Sequence, residues 1–163
     1  MSSRHQLAQH NREMLLEAAS QIFRLHGINA PLQLVIDQAQ VGRATFYRNF
    51  KDRRDLVIAL MQQSLARLEM NAKAFSGFND GLFRLIENHI HHLPALTALA
   101  EYWCVIERDD PIMIEIYHRR NALLQPLIDK AIQYGLCRPD LSPQADVFEQ
   151  VRNTVIEGQS HQD

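Results

Sequence analysis

The sequence predicts an all-α fold, with a small N-terminal three-helix unit joined by a long helix to a C-terminal helical body. Apolar residues recur every three or four positions almost throughout, which is the spacing of one helix face. No run of residues alternates between apolar and polar with the period of two that a half-buried strand shows. Only 6 glycines and 6 prolines occur, too few for a strand-rich fold with many tight turns.

Length and composition restrict the class of protein further. The 163 residues fit one domain, or one small module on a larger helical body. The polar N-terminus shows no signal peptide, and the apolar runs are much shorter than the roughly 20 residues that span a bilayer. Two cysteines, Cys104 and Cys137, are too few for a disulfide framework and suit a reducing compartment. We therefore expect a soluble cytoplasmic protein with no membrane partner.

The charge is distributed unevenly along the chain. Residues 1–56 contain eight Lys and Arg against five acidic residues, and the remainder contains nine against fourteen, which together give the net charge of −2. The basic excess of residues 1–56 and the acidic excess of the remainder indicate that residues 1–56 are the part that contacts a polyanion. A difference of this size also arises by chance, so charge alone does not decide between the two explanations.

The N-terminal unit begins with one longer and one shorter helix. We predict that the first helix has Asn11 as its N-cap and ends at Gly27, because glycine readily adopts the left-handed conformation that closes a helix. Pro31 has the fixed φ that suits the first turn of the second helix. The residues predicted to face the core are Met14, Leu15, Ala18, Ala19, Ile22, Phe23 and Leu25, followed by Leu32, Val35, Ile36 and Ala39.

A third short helix is followed by a long one. Residues 40–42 are typical of a tight turn, and residues 43–50 of a helix. Asp52 is predicted to cap the long helix, with Asp55 three residues later in the position of a capping box. The apolar face of the long helix consists of Leu56, Val57, Leu60, Met61, Leu65 and Leu68.

Four more helices are predicted in the body. Their apolar spacing covers residues 82–93, 96–106, 112–134 and 143–157. The first of these includes Leu82, Phe83 and Ile86, and the third ends at Gly135. Pro126 falls inside the third, where a missing N–H and a bulky ring predict a kink or a break.

Two short helices joined by a tight turn and preceded by a longer helix form the layout of a helix-turn-helix DNA reader. The third helix has suitable chemistry. Arg43 and Arg48 can reach phosphates or guanine edges, and Ala44 is small enough to let the backbone approach the groove. Thr45 offers a hydroxyl and a methyl group, and Tyr47 offers a hydroxyl for a phosphate.

Further residues fit the same interpretation. Phe46 and Phe50 are four residues apart, so they lie on one face and can pack the third helix onto the domain. Arg53 lies in the first turn of the next helix, where a cation and backbone N–H groups favour phosphate. A purely structural helical hairpin with solvated charges has the same spacing, and spacing alone leaves both possibilities open.

The stretch 12–56 resembles the DNA-binding domain of TetR-type transcriptional repressors, the TetR/AcrR family. The residues that carry the resemblance are the run Thr-Phe-Tyr-Arg-Asn-Phe at 45–50 and, after it, Arg53 and Leu56. The matching stretch covers about a quarter of the chain.

This sequence departs from the family pattern in four places. Gln40 replaces the glycine of the turn, and Gly42 replaces a serine, so a helix-capping hydroxyl is missing. Ile36 replaces an alanine at a close helix contact, and Arg53 replaces a lysine. These changes bear on docking and sequence preference more than on the fold.

The resemblance implies a sequence-specific transcriptional regulator, a repressor that a small-molecule effector releases from double-stranded operator DNA. It implies a homodimer, with a DNA-binding domain at 1–56 and a ligand-binding and dimerisation domain at 57–163 that is shorter than is usual in the family. Base and groove contacts would come from Arg43, Ala44, Thr45 and Arg48, and phosphate contacts from Tyr47, Asn49, Arg53 and the N-terminal Arg4. The DNA-binding residues expected are Gly42, Arg43, Ala44, Thr45, Tyr47, Arg48, Asn49 and Arg53.

An effector pocket in the body would use aromatic and polar side chains, although aromatic residues at helical spacing are more often part of a core. His89 and His92 are three residues apart and could bind a metal, but a solvated helix end explains them better. No nucleophile, phosphate-loop or dinucleotide signature is present, so we expect no catalytic residue, no metal and no cofactor. The candidate pocket residues are Phe83, His89, Tyr102, Trp103, Cys104, Glu107, Tyr117 and His118.

A second class of function fits the same fold. The helical body could dock a protein partner and have no small-molecule effector. A body that stays monomeric and binds no small apolar compound would favour this interaction module over the effector-controlled repressor.

Overall fold

The computed structural model describes residues 3–89 and 110–143 of the chain. These residues form six α-helices and contain no β-strand, which confirms the predicted all-α class. They fall into two compact units: the first consists of residues 3–64, and the second of residues 65–89 together with 110–143. The helices are α1 Ser3–His26, α2 Leu32–Gln38, α3 Arg43–Asn49, α4 Arg53–Phe75, α5 Gly81–His89 and α6 Pro111–Gln133.

The first unit is built around one apolar core to which α1, α2, α3 and the first part of α4 contribute. Phe46, on the inner face of α3, and Phe50, directly after α3, are among its largest fully buried side chains. Burying an aromatic side chain of this kind contributes about 1.5–3 kcal/mol. The core consists of Leu15, Leu16, Ala18, Ala19, Ile22, Phe23, Ile28, Ala30, Val35, Ile36, Ala39, Phe46, Phe50, Leu56, Val57, Ala59 and Leu60.

The predicted start of α1 is wrong. The helix begins at Ser3, so Asn11 lies inside it and caps nothing. Two of its apolar residues also lie outside the core, since Met14 is exposed and Leu25 is 66% exposed. Leu25 comes two residues after the buried Phe23, about 200° further round the helix, so its side chain points away from the core.

The turns between the first helices match the sequence closely. Gly27 has φ +76°, and its N–H donates to the carbonyl of Phe23 at 3.0 Å, as expected of a left-handed residue that ends a helix. Pro31 is the N-cap of α2 and so lies one position before the first turn in which it was predicted. Val35 and Ile36 are buried, as their spacing indicates.

The predicted cap of α4 is confirmed. The N–H of Asp55 donates to Oδ1 of Asp52 at 2.9 Å, and Oδ2 of Asp55 accepts from the N–H of Lys51 at 3.1 Å. The second bond reaches one residue further back than in the usual capping box, whose partner is the N-cap residue itself. Both bonds fix the direction in which the chain leaves α3 and enters α4.

The second unit has a small core of its own. It consists of Ala72, Leu82, Leu85, Leu127, Ile128 and Ala131. On α5 the buried residues are Leu82 and Leu85, whereas Phe83 is 44% and Ile86 50% exposed, so the apolar residues whose spacing predicts this helix do not all face the core. The reason is geometric, because Leu82 and Leu85 are three residues apart and form a different face of the helix from Phe83 and Ile86.

Helix α6 is continuous through Pro126, so of the predicted kink or break the break does not occur. The proline removes one donor from the helix, and because both Pro126 and Ala122 are exposed, water can reach the carbonyl of Ala122 that loses its partner. The ends match the sequence better. Asp110 caps the start by accepting from the N–H of Ile112 at 3.0 Å, and Gly135, with φ +69°, follows the end.

Two of the predicted helices cannot be compared with the structure. Residues 96–106 and the helix of 143–157 after its first residue lie outside the described residues, as does the end of the helix predicted at 82–93.

We predict that Gly81→Ala lowers the free energy of unfolding by about 2 kcal/mol. A Cβ at Gly81 would lie 2.3 Å from the carbonyl oxygen of Phe75 and 3.2 Å from a methyl group of Leu127, so the backbone must shift. Urea denaturation measures the change. Gly77→Ala is the matched control, because a Cβ there meets nothing within 4 Å. Equal stability of the two variants would show that α5 does not need this close approach.

Candidate nucleic-acid interface

The turn between α2 and α3 requires an unusual backbone conformation. Gln40 has φ +54°, the one positive φ of a non-glycine residue in the described part of the chain. The N–H of Gln40 donates to the carbonyl of Asp37 at 3.1 Å, and that of Val41 to the carbonyl of Ile36 at 3.3 Å. A side chain in this left-handed region costs about 1 kcal/mol or more, which explains why glycine suits the position.

Helix α3 begins without a side-chain cap. Gly42 is the N-cap residue, with φ −74° and ψ 148°, and its carbonyl accepts from the N–H groups of Thr45 at 2.8 Å and Phe46 at 3.1 Å. A serine at this position would add a hydroxyl acceptor for the same turn. As the sequence predicts, no side-chain hydroxyl caps the start of α3.

The outer face of α3 displays most of the predicted DNA-binding residues. Arg43, Ala44, Tyr47 and Arg48 are exposed, and Thr45 is half-buried. This face lies opposite the buried Phe46 and Phe50 described above. Asn49, at the end of the helix, is also half-buried, and Gly42, directly before its start, is exposed.

The two arginines of α3 lie back against their own helix. Nη2 of Arg48 donates to Oγ1 of Thr45 at 3.0 Å, and its Nε donates to the carbonyl of Ala44 at 3.2 Å. The guanidinium of Arg43 lies 5.8 Å from the ring centroid of Tyr47. Exposed contacts of this kind are weak, so both side chains can leave them at small cost when another acceptor approaches.

Asn49 has a local role in addition to the one predicted. Its Nδ2 donates to the carbonyl of Thr45 at 2.8 Å, four residues earlier in the same helix. The residue as a whole is half-buried at the end of α3.

Arg53 takes part in the packing of the unit. It is half-buried, its Nη1 donates to the carbonyl of Ile28, and its guanidinium lies 5.8 Å from the ring centroid of Phe23. Spacing along the sequence pointed only to a phosphate contact. The structure adds a bond to the loop that follows α1.

Arg12 is a residue of this region that the sequence reasoning missed. Its Nη1 donates to the carbonyl of Asn49 at 3.2 Å, and its guanidinium lies 4.4 Å from the ring centroid of Phe50. The partners are 37 residues apart, so no local pattern in the sequence could have indicated the contact.

The structure does not bring the predicted pocket residues together as one described site. Phe83 and His118 are exposed, and Tyr117 is half-buried beside His118, with ring centroids 5.8 Å apart. The side chain of His89 and the whole of Tyr102, Trp103, Cys104 and Glu107 lie outside the described residues.

One buried amide in the body was not predicted. Asn121 is 8% exposed, and its Oδ1 accepts from Nε and Nη2 of Arg120 at 3.2 and 3.0 Å. A guanidinium has donors only, so it fixes the orientation of the amide with its oxygen toward Arg120. Among the described residues, Nδ2 of Asn121 stands out as a buried side-chain donor with no hydrogen-bond partner.

The described residues also bear on metals and membranes. They contain no cluster of three or more His, Cys, Asp or Glu that could hold a metal ion, and His91 and His92 lie beyond them. None of the helices in 3–89 and 110–143 has the length and apolar character needed to cross a membrane.

A family model described as bacterial regulatory proteins of the tetR family matches residues 15–60, the segment that contains α2, α3 and the start of α4. A comparison with curated proteins gives no significant match.

Solved structures share the fold over nearly the whole chain. The TetR transcription regulatory protein from Mycobacterium vanbaalenii is 22% identical, with a TM-score of 0.65 over 94% of this chain and 97% of that one. A gamma-butyrolactone receptor described as ArpA-like is 17% identical, with a TM-score of 0.59 over 92% and 81%. SmeT, the repressor of the Stenotrophomonas maltophilia multidrug efflux pump SmeDEF, is 18% identical, with a TM-score of 0.52 over 91% and 80%.

We predict that Gln40→Gly raises the free energy of unfolding by about 0.5–1 kcal/mol. Relief of the left-handed strain outweighs the extra freedom that glycine gives the unfolded chain. Chemical denaturation measures the change. Gln33→Gly, within α2, is the control and lowers stability by about 1 kcal/mol, as glycine does in a helix. A loss of stability in both variants would contradict the strain at Gln40.

Proposed function

We propose that this chain, a TetR-type transcriptional regulator by its N-terminal domain and its fold, is a cytoplasmic repressor that binds operator DNA and is released by a small-molecule effector. The observation that carries the proposal is the outer face of α3, where Arg43, Ala44, Tyr47 and Arg48 are exposed together. The opposite face is anchored in the core by Phe46 and Phe50. A helix held from behind, with cations and a hydroxyl in front, is suited to the major groove.

The residues divide into two roles in this proposal. Arg43, Thr45 and Arg48 contact base edges, and Ala44 allows the helix to approach them. Tyr47, Asn49 and Arg53 contact phosphates, which fix the position of the helix without carrying sequence information. Nη2 of Arg48 and Oγ1 of Thr45 lie 3.0 Å apart, so the two polar groups are neighbours on the outer side of α3.

The proposal includes a homodimer with residues 1–56 as the DNA-binding domain and 57–163 as the effector and dimerisation domain. A two-fold dimer presents two copies of α3 to half-sites about 34 Å apart or a multiple of that distance. A palindromic operator is the expected consequence.

Two observations support an effector. One structural neighbour is described as a gamma-butyrolactone receptor, so this fold occurs in a protein described as the receptor of a small molecule. Within this chain, Nδ2 of Asn121 is a buried donor that lacks a partner, and a ligand oxygen would satisfy it. The role that we assign to the body is binding and not catalysis.

The first experiment is selection of a preferred operator from random duplexes, followed by titration at several salt concentrations. Arg43→Ala should cost about 1–3 kcal/mol on the selected operator and relax the preference at one base pair. Tyr47→Ala should weaken binding to operator and random DNA about equally.

Conservative variants separate the groups involved. Tyr47→Phe removes only the hydroxyl and keeps the ring that contacts Phe46, so it should reproduce the loss of Tyr47→Ala if the phosphate contact is made by oxygen. Equal losses of Arg43→Ala on operator and random DNA would contradict base reading by Arg43. The absence of any preferred sequence for the wild-type protein would contradict the regulator itself.

The effector is tested by release of the selected operator. We expect a gamma-butyrolactone to release the wild-type protein but not Asn121→Asp, which keeps an oxygen for Arg120 and removes both donors of the amide. Fluorescence anisotropy of labelled operator measures release. Ile114→Ala, an exposed position of α6, is the control and should respond like the wild type. Release of Asn121→Asp at the wild-type concentration would exclude Asn121 from the effector site.

A further inference from the structure

Arg12 makes two contacts with the segment at the end of α3. Its Nη1 donates to the carbonyl of Asn49, the last residue of the helix, at 3.2 Å. Its guanidinium lies over the ring of Phe50, 4.4 Å from the centroid. One half-buried side chain of α1 therefore contacts both the terminal carbonyl of α3 and the aromatic residue that follows it.

The C-terminal end of α3 lacks the left-handed residue that often caps a helix. Helices often end with a left-handed glycine whose N–H satisfies the last carbonyls. Here the next residue is Phe50, with φ −139° and ψ 125°, so the chain turns directly into an extended conformation. A cation at this position satisfies a terminal carbonyl and matches the negative end of the helix dipole.

Few other polar interactions hold α3 in place. The helix has seven residues, far below the length at which an isolated helix is stable in water. Its N-cap is Gly42, without a side-chain acceptor. Across the described residues, the bond from Arg12 is the one side-chain hydrogen bond that joins α3 to another helix.

We propose that Arg12 is a positioning residue of the DNA reader, which fixes the C-terminal end of α3 through Asn49 and Phe50 without contacting DNA itself. This inference rests on the proposed function, since positioning matters only if α3 reads a sequence. Base reading depends on the angle of the helix in the groove, whereas contacts with phosphates tolerate small rotations better. Loss of Arg12 should therefore reduce binding to the operator more than binding to random DNA.

The variants are chosen to separate position from charge. Arg12→Met keeps an unbranched apolar chain in place of the aliphatic part of arginine and removes the guanidinium, and with it the bond and the cation. Arg12→Lys keeps the charge and one donor but loses the planar contact with Phe50. Arg24→Met is the matched control, because Arg24 is an exposed residue of the same helix and loses the same charge.

The first measurement is the ratio of affinities for the selected operator and for random duplex, at several salt concentrations and at a temperature where every variant is folded. We expect Arg12→Met to lower this ratio about tenfold, the size of effect that the loss of one hydrogen bond to a charged group gives. The slope of affinity against salt should stay that of the wild type. Arg12→Lys should fall between the two, and Arg24→Met should leave the ratio unchanged.

The second measurement is amide hydrogen exchange of the DNA-free protein. Arg12→Met should speed exchange in α3 about tenfold and leave α2 unchanged. An unchanged affinity ratio, or a salt slope reduced by about one with both DNAs equally affected, would overturn the proposal, the latter because it identifies a phosphate contact. If the wild-type protein prefers no sequence, the regulator function fails, and exchange in α3 then decides whether Arg12 fixes the helix.

Discussion

The N-terminal unit depends on the burial of two phenylalanines, Phe46 within the seven-residue helix α3 and Phe50 directly after it. Helix α3 is too short to persist alone, so its existence and its orientation follow from the packing of Phe46 and Phe50 against α1, α2 and α4. The same packing determines which side chains remain outside. Because Phe46 points inward, its neighbours Tyr47 and Thr45 lie to either side, and Arg43 and Arg48 are left at the surface. The core and the exposed face of α3 are thus two consequences of one helical register.

Some features of this unit could be predicted from the sequence because their cause is local. Asp52 and Asp55 are three residues apart, and that spacing alone is enough to identify the cap of α4. Gly27 ends α1 for an equally local reason, its tolerance of positive φ. The inner faces of α2 and α3 followed from helical spacing, since each is a short helix covered on one side.

Other features have causes that a linear pattern does not contain. The contact of Arg12 with Asn49 and the bond of Arg53 to Ile28 join residues that are 37 and 25 positions apart. The sequence predicts the start of α1 wrongly because Asn11, a residue type that often caps helices, lies within a helix that begins earlier, at Ser3. On α5 two apolar stripes compete, and only the packing of the second core shows that Leu82 and Leu85 form the inner one.

In the proposed function, the bonds that hold Arg48 against its own helix have a consequence for selectivity. The carbonyl of Ala44 and the hydroxyl of Thr45 are acceptors that travel with the protein, so they compete with any acceptor on DNA. A base edge with two well-placed acceptors replaces both bonds, whereas an edge with one leaves a donor with a worse partner than it had before. The hydrogen bonds that Arg48 makes within the free protein thus set a minimum for binding. A DNA sequence gains from Arg48 only if its acceptors form better hydrogen bonds than Ala44 and Thr45 do.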